Sequence, residues 1–240
     1  MQTEEALRNL RANNFDAHFV KSSGVAKETI LGMISKDAVV GVGDSATVRQ
    51  IGIFKELEKR GTRILNPFSR KLTTDPSKCE VRHEMSKRIF RCDVLITGTN
   101  AITADGKLVN IDAVGNRVAA MIFGPKKVII VVGRNKIVKD VKEALHRIKN
   151  VIAPYHAKAK DFATPCVQTG KCSDCSSNHR ICNVTTVIEK KPWRTDTTIV
   201  LIDEDLGLSW DEKWAAERIS QIKSNYEKAT WVFASSQTPD

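Results

Sequence analysis

The sequence predicts an α/β protein in which a largely parallel sheet is flanked by helices. Lys127–Val132, KVIIVV, is an uninterrupted apolar run of the kind buried on both faces of a parallel sheet. Shorter apolar runs before it alternate with stretches whose apolar residues recur at helical spacing, the rhythm of right-handed strand–helix–strand units. At 240 residues the chain can bury a sizeable core without metals or disulfides, so 1–240 reads as a single α/β domain.

In chain order, Ala6, Leu7 and Leu10 give Thr3–Asn13 one apolar stripe and predict a short amphipathic helix, with a strand over Ala17–Val20 after it. Ser22 or Ser23 supplies the cap of a second helix reaching Ser35. A strand over Ala38–Val42 ends in a glycine-rich turn and opens into a helix over Val48–Arg60. Thr62–Leu65 and Val94–Thr97 read as strands on either side of a largely helical Pro76–Arg91. Asp105-Gly106 is a hairpin signal pairing Ala101–Thr103 with Leu108–Asn110, and Gly115-Asn116-Arg117 leads into a helix over Val118–Phe123. Val138–Ile148 predicts a helix covering the KVIIVV strand. Val184–Ile188 and Thr198–Ile202 are strand-like, Asp211–Tyr226 predicts the last helix, and the final few residues read as a frayed tail.

The net charge of +10 is unevenly placed: the first 153 residues carry 27 Lys and Arg against 16 Asp and Glu, whereas Thr195–Asp240 carries 4 against 9. The basic residues are scattered among acids with few aromatic neighbours, and no RNP, zinc-finger or helix-turn-helix pattern is present. That makes nucleic acid a minor reading and favours a small anionic ligand. No apolar run approaches the ~20 residues that cross a bilayer, and the N-terminus lacks the apolar core of a signal peptide. A cytoplasmic location is therefore expected, where cysteines stay reduced. The acidic end also suits docking onto the basic body of a second copy, giving a homo-oligomer.

Ligands of open α/β sheets sit beyond the carboxyl ends of the strands, which directs attention to the loops after Val42 and Thr97. The first, GVGDSATVRQIG, presents Gly43, Asp44, Ser45 and Thr47 at a helix N-terminus, where N–H groups and hydroxyls suit a phosphate or carboxylate. The alternative is a helix capped by Asp44 or Ser45 with nothing bound. The second, Gly98–Arg117, carries Asn100, Asn110, Asp112, Asn116 and Arg117 on neighbouring turns. Amides around one arginine suit recognition of a small oxygen-rich anion better than acid–base catalysis, and no catalytic residue is assigned.

Four of the six cysteines fall within Pro165–Asn183, PCVQTGKCSDCSSNHRICN, spaced C-x5-C-x2-C-x6-C. Thiolates are soft anionic ligands, and Cys166, Cys172, Cys175 and Cys182 in one irregular loop can close on a single centre. Gly170 allows a tight turn and Cys172–Cys175 forms a CxxC knuckle, so 154–194 reads as a Cys-rich metal-binding loop with its following strand. Tetrahedral zinc usually shows two similar knuckles; the single knuckle and uneven spacing favour an iron–sulfur cluster of the 4Fe-4S type over zinc. Two disulfides in an exported protein are the third reading. His179 reads as a neighbour of the centre rather than a ligand, and His156, ten residues before Cys166, is the other histidine placed to approach it. Cys92 reads as a small core hydrophobe, and Trp193, Trp210, Trp214 and Trp231 as core by default.

Together, GVGDSATVRQIG, the block TGTNAITADGKLVNIDAVGNRVAAMIFGPKKVIIVVG and the segment TGKCSDCSSNHRICNVTTVIEKKP resemble the LUD domain, the lactate utilization protein family, over about Arg11–Leu206. The resemblance implies a fold similar to the isomerase and CoA-transferase group that includes ribose-5-phosphate isomerase and glucosamine-6-phosphate deaminase. In that fold Gly41–Thr47 and Gly98–Arg117 border the substrate pocket. The chain departs from the group's catalytic patterns. Asn100 and Asn110 stand nearest to where the sugar-phosphate isomerases carry proton-moving acids and a lysine, and no Glu lies between Arg88 and Lys142 to act as a CoA-transferase nucleophile. Some family members take part in a multi-protein system that oxidises L-lactate to pyruvate with iron–sulfur partners. With the cysteine loop, the resemblance implies an oxidoreductase component that handles electrons for a small organic acid such as lactate and meets a protein redox partner. The competing expectations are a non-redox enzyme or binding protein for a small organic-acid or phosphate-bearing ligand, with structural zinc, and an interaction module, which calls for an exposed apolar patch.

Overall fold

A computed structural model of the chain describes residues 2–232; the expected frayed tail lies outside the described residues. The strands are β1 (Asp16–Val20), β2 (Val39–Val42), β3 (Arg63–Leu65), β4 (Val94–Thr97), β5 (Ala101–Thr103), β6 (Leu108–Asp112), β7 (Lys127–Gly133), β8 (Ile137–Val138), β9 (Val184–Ile188) and β10 (Asp196–Ile202). Six of them form a wholly parallel sheet in the order β1-β10-β7-β4-β2-β3. The helices are α1 (Gln2–Ala12), α2 (Ser23–Gly32), α3 (Ala46–Gln50), α4 (Ile53–Lys59), α5 (Arg70–Thr73), α6 (Cys79–Ile89), α7 (Asn116–Ile122), α8 (Val141–Arg147), α9 (Ala153–Ala159), α10 (Pro165–Thr169) and α11 (Ala216–Lys228).

The period of two along β7 explains why the sheet is covered on both faces. Val128, Ile130 and Val132 enter a core shared with Leu10 of α1, Ile89 of α6 and Met121 of α7. Ile129 and Val131, pointing the other way, pack with Ile30 of α2, Val48 of α3 and Leu57 of α4. The predicted hairpin forms, with Gly106 at φ +80° in its turn, but it belongs to a second, mixed sheet of order β8-β5-β6-β9. Val109 and Ile111 of that sheet meet Ala144 of α8, Trp210 and Tyr226 of α11 in a third core.

Several boundaries depart from the sequence expectation for local reasons. The stretch expected as one helix over 48–60 is α3 and α4, separated at Gly52, whose φ of +70° ends the first turn run. Val138 pairs in β8 rather than opening a helix, because Asp140 supplies the cap, accepting from Glu143 N at 2.8 Å. α8 then continues through a wider turn, Ile148–Ile152, into α9, so the helical segment runs past its expected end. α11 starts at Ala216, since Leu208 and Trp210 before it are extended into the third core. Of the tryptophans expected inside, Trp210 is buried and Trp193 is 98% exposed. Among the described residues no helix is long and apolar enough to cross a membrane.

The chain leaves β2 outward to β3 and returns to the other flank of β2 as β4, so the order reverses between β2 and β4. The loops beyond the carboxyl ends of β2, β4, β7 and β10 gather there, as expected at such a switch point.

Candidate functional site

A cleft of about 360 Å³ opens at this end of the sheet. Its lining comes from the loop after β2 (Asp44, Ser45), the loop after β4 (Gly98, Thr99, Asn100), the start of α7 (Asn116, Arg117), Lys136 after β7, and His156 of α9 with Tyr226 of α11. Asn178, His179, Arg180, Ile181 and Asn183 of the cysteine loop form a further wall.

Arg117 lies at the floor, 8% exposed. Its Nη1 donates to Asn110 Oδ1 at 2.9 Å and Gly98 O at 3.2 Å, its Nη2 to Ile111 O at 3.3 Å and Asn100 Oδ1 at 3.4 Å, and its Nε stands 3.5 Å from Asp112 Oδ1. Every guanidinium nitrogen is engaged by protein, so Arg117 ties the loop after β4 to β6. Asn110, fully buried, accepts from Thr99 Oγ1 at 3.2 Å and Asn100 N at 3.1 Å through the same oxygen, and it lies beneath the cleft rather than in its wall. Of Asn100, Asn110, Asp112, Asn116 and Arg117, four meet in one structural network whose upper edge reaches the cleft, while Asn116 lines the cleft without a side-chain bond to that network.

The glycine-rich loop divides similarly. Asp44 and Ser45 line the cleft, while Gly43 and Thr47 are buried beside it. A β-carbon on Gly43 would collide with Thr97 and come within 3.2 Å of Arg117 Cγ, which accounts for the glycine by close packing. Ser45 takes the capping role, its Oγ accepting from Val48 N at 3.3 Å, and α3 is only five residues long. Asp44 pairs with Arg49 at 2.5 Å. Burial opposes its charge, but Arg49 and Lys160 hold its carboxyl well below the usual carboxylate range.

Three cleft residues were not singled out as ligand-facing from sequence. Lys136 is 6% exposed, donates to Thr99 O at 2.9 Å, and has its amine pushed down to about 7 by burial and by Arg117. His156 shares a hydrogen bond between Nδ1 and Tyr226 Oη; burial and Lys160 push its imidazolium down to about 4, so the ring is neutral at neutral pH. Tyr226 keeps its proton because burial raises its hydroxyl. The strand-end rule that led to the loops after β2 and β4 applies equally to β7, and would have found Lys136 three residues beyond Gly133. His156 had a weaker signal, its nearness in sequence to the cysteines.

The cysteine loop is held by Arg180, which donates to Cys175 O at 2.5 Å, Cys182 O at 3.3 Å and Asp174 Oδ1 at 2.8 Å. All four cysteines are free thiols of intermediate exposure, so the two-disulfide reading has no support. The N–H of Asp174 points at Cys172 Sγ at 3.4 Å within the CxxC turn. Burial raises the Cys182 thiol, Arg180 opposes that, and Cys172 and Cys175 are near enough to repel its thiolate. Cys166 is on α10, its sulfur 3.2 Å from Thr164 Oγ1. The donor chemistry thus fits a soft metal or cluster, while among the described residues no three His, Cys, Asp or Glu side chains form a metal-binding group. His179 accepts from Ala163 N at 3.2 Å and faces the cleft.

The LUD domain family matches residues 3–202. No curated protein matches the chain. Solved structures that resemble it distantly include these two. A DUF162 family protein from Deinococcus radiodurans is 13% identical, with 84% of this chain and 96% of that chain covered and a TM-score of 0.46. Ribose 5-phosphate isomerase A from Methanocaldococcus jannaschii is 10% identical, with 83% of this chain and 84% of that chain covered and a TM-score of 0.35.

Proposed function

The chain belongs to the LUD (lactate utilization) domain family, and from that premise we propose that its cleft binds a small 2-hydroxy or 2-oxo acid and that its cysteine loop carries a 4Fe-4S cluster, making it an electron-handling component of organic-acid oxidation. One observation carries the reading: the cysteine loop and a lining that holds Arg82, Lys136 and a neutral imidazole belong to the same cleft of about 360 Å³. Cations there suit a carboxylate. Oxidising a 2-hydroxy acid to a 2-oxo acid releases two protons and two electrons. His156, neutral at working pH, is suited to accept the hydroxyl proton, and Tyr226 fixes its ring through Nδ1. Cys172, Cys175 and Cys182, with Cys166 as the fourth ligand, would hold the cluster, which would pass electrons singly when bound. Both electrons and the proton from the C2–H bond would leave to a protein redox partner.

The test is iron, acid-labile sulfide and zinc content with the visible spectrum, on protein purified without oxygen, followed by calorimetry with L-lactate and pyruvate. Iron and sulfide in equal amounts, a visible band bleached by dithionite, and binding of either acid are the expected results. One zinc per chain with no iron would sink the redox reading and leave a non-redox protein with structural zinc.

A further inference from the structure

We propose that Lys136 binds substrate covalently, its ε-amine condensing with the carbonyl carbon of a 2-oxo acid held in the cleft. The inference rests on the organic-acid reading of the cleft and is independent of any cluster.

The first ground is that the lysine is buried without an opposite charge. The residue lines the cleft, its amine donates to Thr99 O at 2.9 Å, and no carboxylate of the described residues pairs with it. The other deeply buried cations near it are paired, Arg117 with Asp112 and Arg147 with Glu143. An apolar side chain of similar length would fill this space at lower cost in free energy, so stability does not explain the amine.

The second ground is that the surroundings are built to place it. Asn135, its neighbour, is fully buried; it donates to Ser209 O at 3.0 Å and accepts from Leu206 N at 3.0 Å, fixing the loop after β10 against Lys136. Gly207 in that loop has φ +71°, and a β-carbon there would stand 2.9 Å from both Cε and Nζ of Lys136. Gly207 N in turn donates to Gln50 Oε1 at 2.6 Å. The missing β-carbon leaves the space that the end of the lysine side chain occupies beside Thr47.

Electrostatics supports the same chemistry. A lysine desolvated beside a second cation loses its proton readily, and the neutral amine is the nucleophile. With burial and Arg117 bringing it to about 7, a large share is neutral at neutral pH. In the reaction the nitrogen lone pair forms the C–N bond while the carbonyl π pair moves to oxygen, which takes a proton. The carbinolamine then leaves its oxygen as water as the nitrogen gives up its proton, and the imine remains. One amine and one carbonyl become one imine and one water, with no net redox change. The neutral imidazole of His156, in the same cleft, is suited to relay the proton.

The experiment is reductive trapping on the full chain: pyruvate with sodium cyanoborohydride, then peptide mapping by mass spectrometry, alongside calorimetry with pyruvate. Lys136 should carry the reduced adduct in excess over every other lysine, L-lactate in place of pyruvate should give none, and Lys136→Arg should lose it. The wild-type map alone decides the site should the variant fold poorly. Pyruvate binding with no adduct at Lys136, or adducts spread evenly over surface lysines, would overturn the imine and leave the organic-acid reading standing, with Lys136 as a plain counter-ion. No binding of pyruvate would overturn both.

Discussion

Arg117 and Lys136 are neighbouring cations with opposite consequences. Arg117 engages every guanidinium nitrogen with protein acceptors, so shortening it takes a charged donor from the side-chain oxygens of Asn100 and Asn110 and the ion-pair partner from the Asp112 carboxylate. Arg117→Ala should cost about 3–5 kcal/mol, the usual loss on breaking a buried pair, and Arg117→Lys should recover little because a single ammonium cannot span the acceptors. Urea denaturation of both variants checks this; near-native stability for either would mean the network is dispensable. Lys136 is the reverse, a cation whose burial works against folding. Its folded value of about 7 lies below the ordinary 10.5, so between those values the unfolded chain binds more protons and stability rises with pH. The penalty is complete below about 7. Lys136→Met should therefore be more thermostable than wild type at neutral pH, with the gap closing as pH rises across that window; melting curves along the pH series would contradict the assignment if the gap stayed constant.

At the scale of elements, the cleft depends on short segments held by single side chains. The cysteine loop contains little regular structure between α10 and β9, and Arg180 ties Asp174, Cys175 and Cys182 together. Arg180→Ala should cost about 1 kcal/mol of global stability, as for the loss of a partly buried hydrogen-bonding group, and make the loop cleave faster under limited proteolysis. Unchanged cleavage would show that the loop is ordered by other contacts. Between α3 and α4 the break rests on Gly52, where φ is +70° and no atom stands within 4 Å of an added β-carbon. Gly52→Ala should thus cost only about 1 kcal/mol, from backbone strain without a clash, read as a modest shift in the urea midpoint. These segments are also where sequence reasoning was weakest: α5, α9 and α10 are short, and their helical state is set by neighbours more than by an apolar stripe of their own.

For the whole molecule, the sheet places four loops at one end, and the cleft follows from topology as much as from any motif. The α/β class, the buried central strands, the hairpin at Asp105-Gly106 and the strand-end location of the site were all legible in the sequence, because period, apolar runs and turn chemistry are local properties. Membership of the LUD domain family was legible as well, carried by long contiguous blocks. What only tertiary structure decided was which side chains face the cleft. Asn110 and Arg117 looked like ligand groups and are largely occupied by each other, whereas Lys136 and His156 became cleft residues through loops and helices far apart in the chain. The sequence lists donors and acceptors, but which of them are already satisfied depends on partners 7, 37 or 70 residues away, and only the folded chain brings those together. The same holds for charge: Lys136 carries an ordinary amine in the sequence, and burial beside Arg117, with no carboxylate of the described residues facing it, is what gives it a different chemistry.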